Sequence, residues 1–304
     1  MNIRVIAGWA GLALMTWMPV AAADDAAGIA GAMVGSEFEY AVQPGDSLTL
    51  IGARFGMAPS VLARVNGLRF DAWVYPGQIL QIDNRHIVAA TLVDGMLINI
   101  PQRMLFYFQA GELLAYYPVG LGRPDWPTPE GQFRVIDLQE NKTWHVPLSI
   151  QEEMRRESEA VLTEVPPGPD NPLGKYWIGI SLPGIGIHGT IAPASIYHFQ
   201  SHGCIRLHPD DIAALFLHIS RGETGLIVYA PVLLARLDDG RIFLEVNPDA
   251  YGRGVDPLSF VADMAQRHDW QDVLDWNKVQ TVIRLQDGLA HEVGLPAATG
   301  KNVH

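Results

Sequence analysis

The chain has 304 residues, an apolar fraction of 48% and a formal net charge of −12. That length holds two or three domains with real cores, and 21 Lys+Arg against 33 Asp+Glu supply no obvious basic face for phosphate, which argues against nucleic acid as a partner. Cys204 is the single cysteine, so it has no intramolecular disulfide partner. At the N-terminus a short cationic stretch, Asn2 to Arg4, precedes an apolar core from Val5 to Met18, then Pro19 and Ala21-Ala22-Ala23 ahead of Asp24-Asp25. Residues 1–23 therefore read as a secretion signal cleaved after Ala23. The apolar core is short for a membrane span and no other segment reaches the roughly 18 apolar residues needed, so no membrane span is expected. An exported structural cysteine is ordinarily oxidised to a partner. A lone thiol with a histidine on either side in sequence calls instead for a thiolate nucleophile and an imidazole base.

After the signal, Ala26 to Gly35 has no periodicity and reads as a flexible leader. Tyr40 to Gln43 alternates as a strand, Pro44-Gly45-Asp46 turns, and Asp46 is placed to N-cap a helix carrying Leu48, Ile51 and Phe55 on one face. Pro59 opens a second helix with Val61, Leu62 and Val65, which Asn66-Gly67 closes. Tyr75-Pro76-Gly77 then leads to a strand from Gln78 to Ile82. This strand–helix–helix–strand unit over 40–82 resembles the lysin motif (LysM) through Val42-Gln43-Pro44-Gly45-Asp46-Ser47-Leu48, Asn66-Gly67-Leu68 and Tyr75-Pro76-Gly77-Gln78-Ile79-Leu80. The resemblance implies binding of N-acetylglucosamine-containing glycans such as peptidoglycan. Contacts would come from the loop around Asp46 and Ser47 and from the loop leading to the second strand.

A short polar connector, Asp83 to Asp94, precedes a β-rich region over 95–230. Leu97–Ile100, Arg103–Phe108 and Glu112–Gly120 read as strands, with a hairpin turn at Gln109–Glu112. Gly131–Ile136 follows as another. Thr143 to Asn171 is long, proline-rich and irregular with one helix over 150–159; a loop of that length serves as a functional wall or lid more often than as filler. Strands resume at Lys175–Ile180 and Gly186–His188. Pro209-Asp210-Asp211 begins a helix with Ile212, Leu215, Phe216 and Ile219 on its core face and Gly222 at its end. Cys204 would then lie on a Gly-flanked turn just before a helix N-terminus, where the helix dipole and Arg206 favour the thiolate. Gly203 would let nearby amides face a developing oxyanion, and His188 could deprotonate the thiol if the two strand ends meet.

The run His188-Gly189-Thr190, an intervening loop and Ser201-His202-Gly203-Cys204-Ile205-Arg206 is similar to the signature of the L,D-transpeptidase catalytic domain, as are Thr128-Pro129-Glu130-Gly131 and Gly168-Pro169-Asp170-Asn171-Pro172-Leu173-Gly174. With the LysM in front, the layout resembles the periplasmic enzymes of Gram-negative bacteria. His198 departs from the small residue that many relatives carry there. The resemblance implies that Cys204 attacks the amide between diaminopimelate and the terminal D-Ala of a tetrapeptide stem, leaving a thioester that an amine resolves. The acceptor could be another diaminopimelate, a lysine of an outer-membrane lipoprotein, a free D-amino acid, or water. It further implies that His188 is the base, oriented by the Gly189 carbonyl, and that the Gly203 and Cys204 amides form the oxyanion hole. Arg206 would hold the turn or the donor carboxylate, and His202 would have a structural hydrogen-bonding role.

Zinc held by Cys204 with His188, His198, His202 or His208 is the competing chemistry. No CxxC pair or HExxH helix supports it, and His202 and Cys204 share a tight turn; no metal and no other cofactor is expected. A hydrolase on the same scaffold and an inactive wall-binding protein are the other functional classes. Trp126, Trp144, Tyr176 and Trp177 are cleft or core residues. The segment 231–304 reads as a β-hairpin around Asp238-Asp239-Gly240, helices over 257–268 and 270–278, and a strand over 282–285, forming a C-terminal subdomain. The expected fold is α+β: a βααβ LysM module, a mostly-β catalytic domain and a small α/β C-terminal subdomain.

Overall fold

The computed structural model describes residues 32–296, and the secretion signal expected over 1–23 lies outside the described residues. The chain opens with β1 (Met33–Val34), β2 (Glu37–Ala41), α1 (Leu48–Phe55), α2 (Pro59–Val65), β3 (Ile79–Asp83) and β4 (His86–Ile87). β2 and β3 pair antiparallel with Tyr40 opposite Leu80, and Leu48, Ile51, Met57, Leu62 and Ile82 fill the space beneath the two helices. The cap of α1 differs from the sequence expectation. Ser47 is the N-cap, its hydroxyl accepting the Leu50 amide at 3.2 Å. Asp46 closes the preceding turn instead, where one carboxylate oxygen accepts Tyr40 Oη and the Gln43 amide, both at 2.7 Å.

Two further expectations are corrected in this region. The end of the leader is ordered, because Met33 and Val34 pair with Ile87 and His86. The connector is not a solvated linker, since His86 and Ile87 are fully buried. His86 Nε2 lies 3.0 Å from the Gly56 carbonyl and Nδ1 lies 3.2 Å from a Glu245 oxygen near the far end of the chain. Gln102, Asn247 and the Ile87 amide also donate to Glu245. A fully buried carboxylate needs such partners.

The central unit runs through β5 (Gly95–Asn99), β6 (Met104–Gln109), β7 (Glu112–Gly122), β8 (Gly131–Glu140), β9 (Trp144–His145), α3 (Leu148–Arg156), β10 (Glu164–Val165), β11 (Tyr176–Ile180) and β12 (Gly186–His188). It continues with β13 (Phe199–Ser201), β14 (Ile205–Leu207), α4 (Pro209–Phe216) and β15 (Thr224–Val228). Nine strands form one sheet in the order β13-β7-β14-β12-β11-β8-β15-β5-β6, and an added β6–β7 pairing curls it towards closure. Its interior is filled by Met96, Leu105, Val119, Phe133, Ile178, Ile187 and Ile205, with Ile212 and Leu215 of α4 packed against them. The expected helix over 150–159 is α3, displaced toward the N-terminus. α4 ends at Phe216 rather than at Gly222.

The last elements are β16 (Val232–Arg236), β17 (Ile242–Val246), α5 (Pro257–Arg267), α6 (Trp276–Leu285) and β18 (Ala290–Glu292). A three-stranded antiparallel sheet, β16-β17-β18, packs its Val232, Leu234 and Leu244 on Val261, Met264, Val279 and Val282 of the two helices. The helix expected over 270–278 and the strand over 282–285 are replaced by α6. Asp275 starts it by accepting the Asn277 and Lys278 amides, and Val279 and Val282 then fall on one face at helical spacing.

Candidate active site

His188 and Cys204 are brought together by the sheet. β12 and β14 are parallel neighbours, with Ile187 opposite Ile205 and His188 opposite Arg206. Cys204 immediately precedes β14, so the thiol and the imidazole sit at adjoining strand ends and line one cavity of about 770 Å³. Glycines allow this close assembly. Gly174 has φ +65, and a Cβ there would lie 3.2 Å from the Gly189 carbonyl carbon, so Gly174 and Gly189 meet backbone to backbone behind His188.

The imidazole is oriented by its own strand end. His188 Nδ1 lies 2.6 Å from the Gly189 carbonyl oxygen. A carbonyl only accepts, so Nδ1 carries the proton and Nε2 keeps its lone pair. Trp177, opposite His188 in the β11–β12 register, stacks on the ring with centroids 5.8 Å apart. Burial, and next the positive charge of Arg206, push the imidazole down to about 4. At neutral pH His188 is uncharged.

The thiol is held differently from the sequence expectation. β14 and His208 separate Cys204 from α4, so the α4 dipole is spent at the N-cap, where His208 Nδ1 accepts the Asp210 amide at 3.3 Å. Burial pushes the Cys204 thiol up, with the Gly186 amide and Arg206 acting in the opposite direction. Sγ lies 3.7 Å from the Gly184 carbonyl. Burial thus disfavours the charged form of both groups that line the cavity.

The turn carrying Cys204 is fixed from several sides. Ser201 Oγ donates to the Cys204 carbonyl at 2.5 Å, and Thr128 Oγ1 donates to the Gly203 carbonyl at 2.9 Å. Gly203 has φ +99, and a Cβ there would meet Ile185 Cδ1 at 2.9 Å. Among the described residues, the Gly203 and Cys204 amides have no backbone acceptor. Arg206 is half-buried in the cavity wall without a carboxylate partner among the described residues.

His202 points away from the role of base. Its Nε2 bonds Glu153 of α3, which also bonds Arg123, and Trp126 meets the His202 ring edge-on at 4.8 Å. The two positively charged or proton-bearing partners hold the Glu153 carboxyl below the usual carboxylate range. No local sequence signal marks Glu153, which fastens the loop expected as a wall or lid over 143–171. Asn171 ties the base of that loop, donating to the Lys142, Val165 and Pro166 carbonyls. Trp144 and Trp177 line the cavity, while Tyr176 packs on Phe216. His198 is half-buried, with its carbonyl accepting the Leu121 amide at 2.9 Å. In the LysM unit, Asp46 and Ser47 already have the intramolecular partners described above. Phe70, Trp73 and Tyr75, on the loop leading to β3, are the exposed aromatics there, with Trp73 85% exposed.

Comparison with known proteins agrees with this architecture. The L,D-transpeptidase catalytic domain matches residues 94–232 and the LysM domain matches residues 40–83. The probable L,D-transpeptidase ErfK/SrfK of Salmonella typhimurium is 31% identical over 220 residues, spanning 71% of each chain. The probable L,D-transpeptidase YbiS of Escherichia coli is 28% identical over 230 residues, spanning 72% of each. A solved catalytic domain of the E. faecium L,D-transpeptidase is 21% identical with a TM-score of 0.32, covering 45% of this chain and 98% of that one.

Proposed function

The chain belongs to the L,D-transpeptidase family, and we propose that it transfers peptidoglycan stem peptides through a thioester on Cys204. The observation that carries this reading is the convergence of His188 and Cys204 on one cavity from adjoining strand ends, with His188 Nδ1 fixed by the Gly189 carbonyl. Nε2 of a neutral His188 takes the thiol proton as sulfur attacks the carbonyl between diaminopimelate and the terminal D-Ala. The carbonyl oxygen, now negative, is received by the Gly203 and Cys204 amides. The C–N bond breaks, the His188 proton passes to the departing D-Ala amine, and the thioester remains. An acceptor amine gives a proton back to His188 as it attacks the thioester, and the thiolate leaves and is reprotonated. Arg206, whose guanidinium has no carboxylate partner among the described residues, offers a bidentate site in the cavity wall for a carboxylate of the donor stem.

The LysM unit supports glycan binding through the exposed Phe70, Trp73 and Tyr75, whose apolar faces suit sugar rings. The expected compartment is the periplasm. No helix among the described residues is long and apolar enough to cross a membrane. The test is incubation with disaccharide-tetrapeptide and mass analysis of the products. Release of D-Ala with cross-linked dimers is the expected outcome, while tripeptide alone would assign the chain to hydrolysis. Cys204→Ala abolishes both, and His188→Ala costs roughly 10²- to 10⁴-fold.

A further inference from the structure

The turn that carries Cys204 is braced by a residue from outside the catalytic domain. Tyr251 lies in the segment after β17, beyond residues 94–232. Its hydroxyl donates to the Gly122 carbonyl at 2.7 Å and accepts the Thr128 amide at 3.1 Å. Thr128, almost fully buried, accepts the Gly122 amide at 2.9 Å through Oγ1 and passes its own hydroxyl proton to the Gly203 carbonyl at 2.9 Å. Tyr251 is itself fixed: its amide donates to Tyr229 Oη at 2.9 Å, Tyr229 Oη donates to Asp249 at 2.5 Å, and the two tyrosine rings stack at 5.6 Å.

The Gly203 carbonyl and the Cys204 amide belong to one planar trans peptide, so they point in opposite directions. Whatever fixes the carbonyl also fixes the aim of the amide. Gly203, at φ +99, has no side chain to hold that plane by packing. We propose that Tyr251 is a positioning residue for acyl transfer, acting through Thr128 to orient the Cys204 amide toward the oxyanion. The inference rests on the cysteine mechanism proposed above. It makes the C-terminal segment part of the catalytic apparatus rather than an appendage.

Tyr251→Phe keeps the ring and removes the hydroxyl, and two reactions at the same sulfur separate aim from thiol reactivity. Acylation by disaccharide-tetrapeptide develops an oxyanion. Alkylation by iodoacetamide forms a C–S bond at a saturated carbon with loss of iodide, and develops none. Tyr251→Phe is expected to slow acylation about tenfold at unchanged KM and to leave alkylation within about twofold. Thr128→Val removes the direct donor and is expected to cost about 10²-fold in acylation, with Thr128→Ser restoring most of it. Acylation at the wild-type rate in Tyr251→Phe would overturn the proposal, as would equal losses in acylation and alkylation, which would mark a merely structural role. Turnover that survives Cys204→Ala in the same assay would overturn the cysteine reading itself.

Discussion

At the residue level, the proposed mechanism starts from uncharged groups, because burial disfavours both the His188 imidazolium and the Cys204 thiolate. His188 is held near 4 by burial and by Arg206, below its ordinary 6.5. The sign of the resulting pH dependence is fixed. Below pH 6.5 the unfolded chain takes up a proton that the folded chain refuses until about 4, so stability is lost as the pH falls through that window. The total is about 3 kcal/mol. Urea denaturation of the wild type and of His188→Gln at pH 7 and pH 4.5 should show a steeper acid loss in the wild type. Parallel losses would mean that His188 titrates normally in the folded state. Because the free Nε2 persists into mild acid, the rate of Cys204 acylation in a single turnover at pH 5.5 should remain within about twofold of that at pH 7. A loss of acylation centred near pH 6.5 would mean that burial and Arg206 do not hold His188 down.

Among the elements, α3 is the one whose function lies in its attachment. It forms part of the cavity wall and is fastened by Glu153 to Arg123 and His202, one residue before the Gly203 turn. Glu153→Ala should speed hydrogen exchange of the α3 amides at least about tenfold and raise KM for the tetrapeptide. Exchange in β12 and β14 should stay unchanged, because their core does not include α3. Unchanged α3 exchange would show that Asn171 alone holds the wall. The sequence made the strands and the His188 and Cys204 motifs readable because alternation, turn residues and glycine spacing are local signals. Glu153 bonds His202 across 49 positions and Tyr251 bonds Gly122 across 129, and such pairs leave no periodic trace. α6 departs from the sequence expectation for a related reason. Trp270 and Leu274 are buried and mimic a helical face, but Asp269 at φ 56 precedes them and Asp275 is where the amides are capped.

For the molecule as a whole, the segment from β17 to β18 packs on the LysM unit. Leu289 joins the LysM core, Arg64 of α2 pairs with Asp287 at 2.5 Å, and His86 spans Gly56 and Glu245. Deleting residues 24–86, an obvious way to separate anchoring from catalysis, would therefore also strip a partner from a fully buried carboxylate. His86→Ala in the full chain is expected to cost about 2 kcal/mol of unfolding free energy, with soluble-substrate turnover preserved wherever the protein stays folded. An unchanged denaturation midpoint would place the coupling in the apolar contacts alone. In the proposed function, binding to sacculi through the LysM unit would raise the local concentration of stems near the cleft, with the chemistry carried by Cys204. The most direct test is to quench the full-length protein during turnover of disaccharide-tetrapeptide, weigh it intact and map the adduct. The account predicts a tripeptide-bearing adduct on Cys204 that hydroxylamine removes and that Cys204→Ala never forms. An adduct on another residue, or D-Ala release at the normal rate by Cys204→Ala, would contradict it.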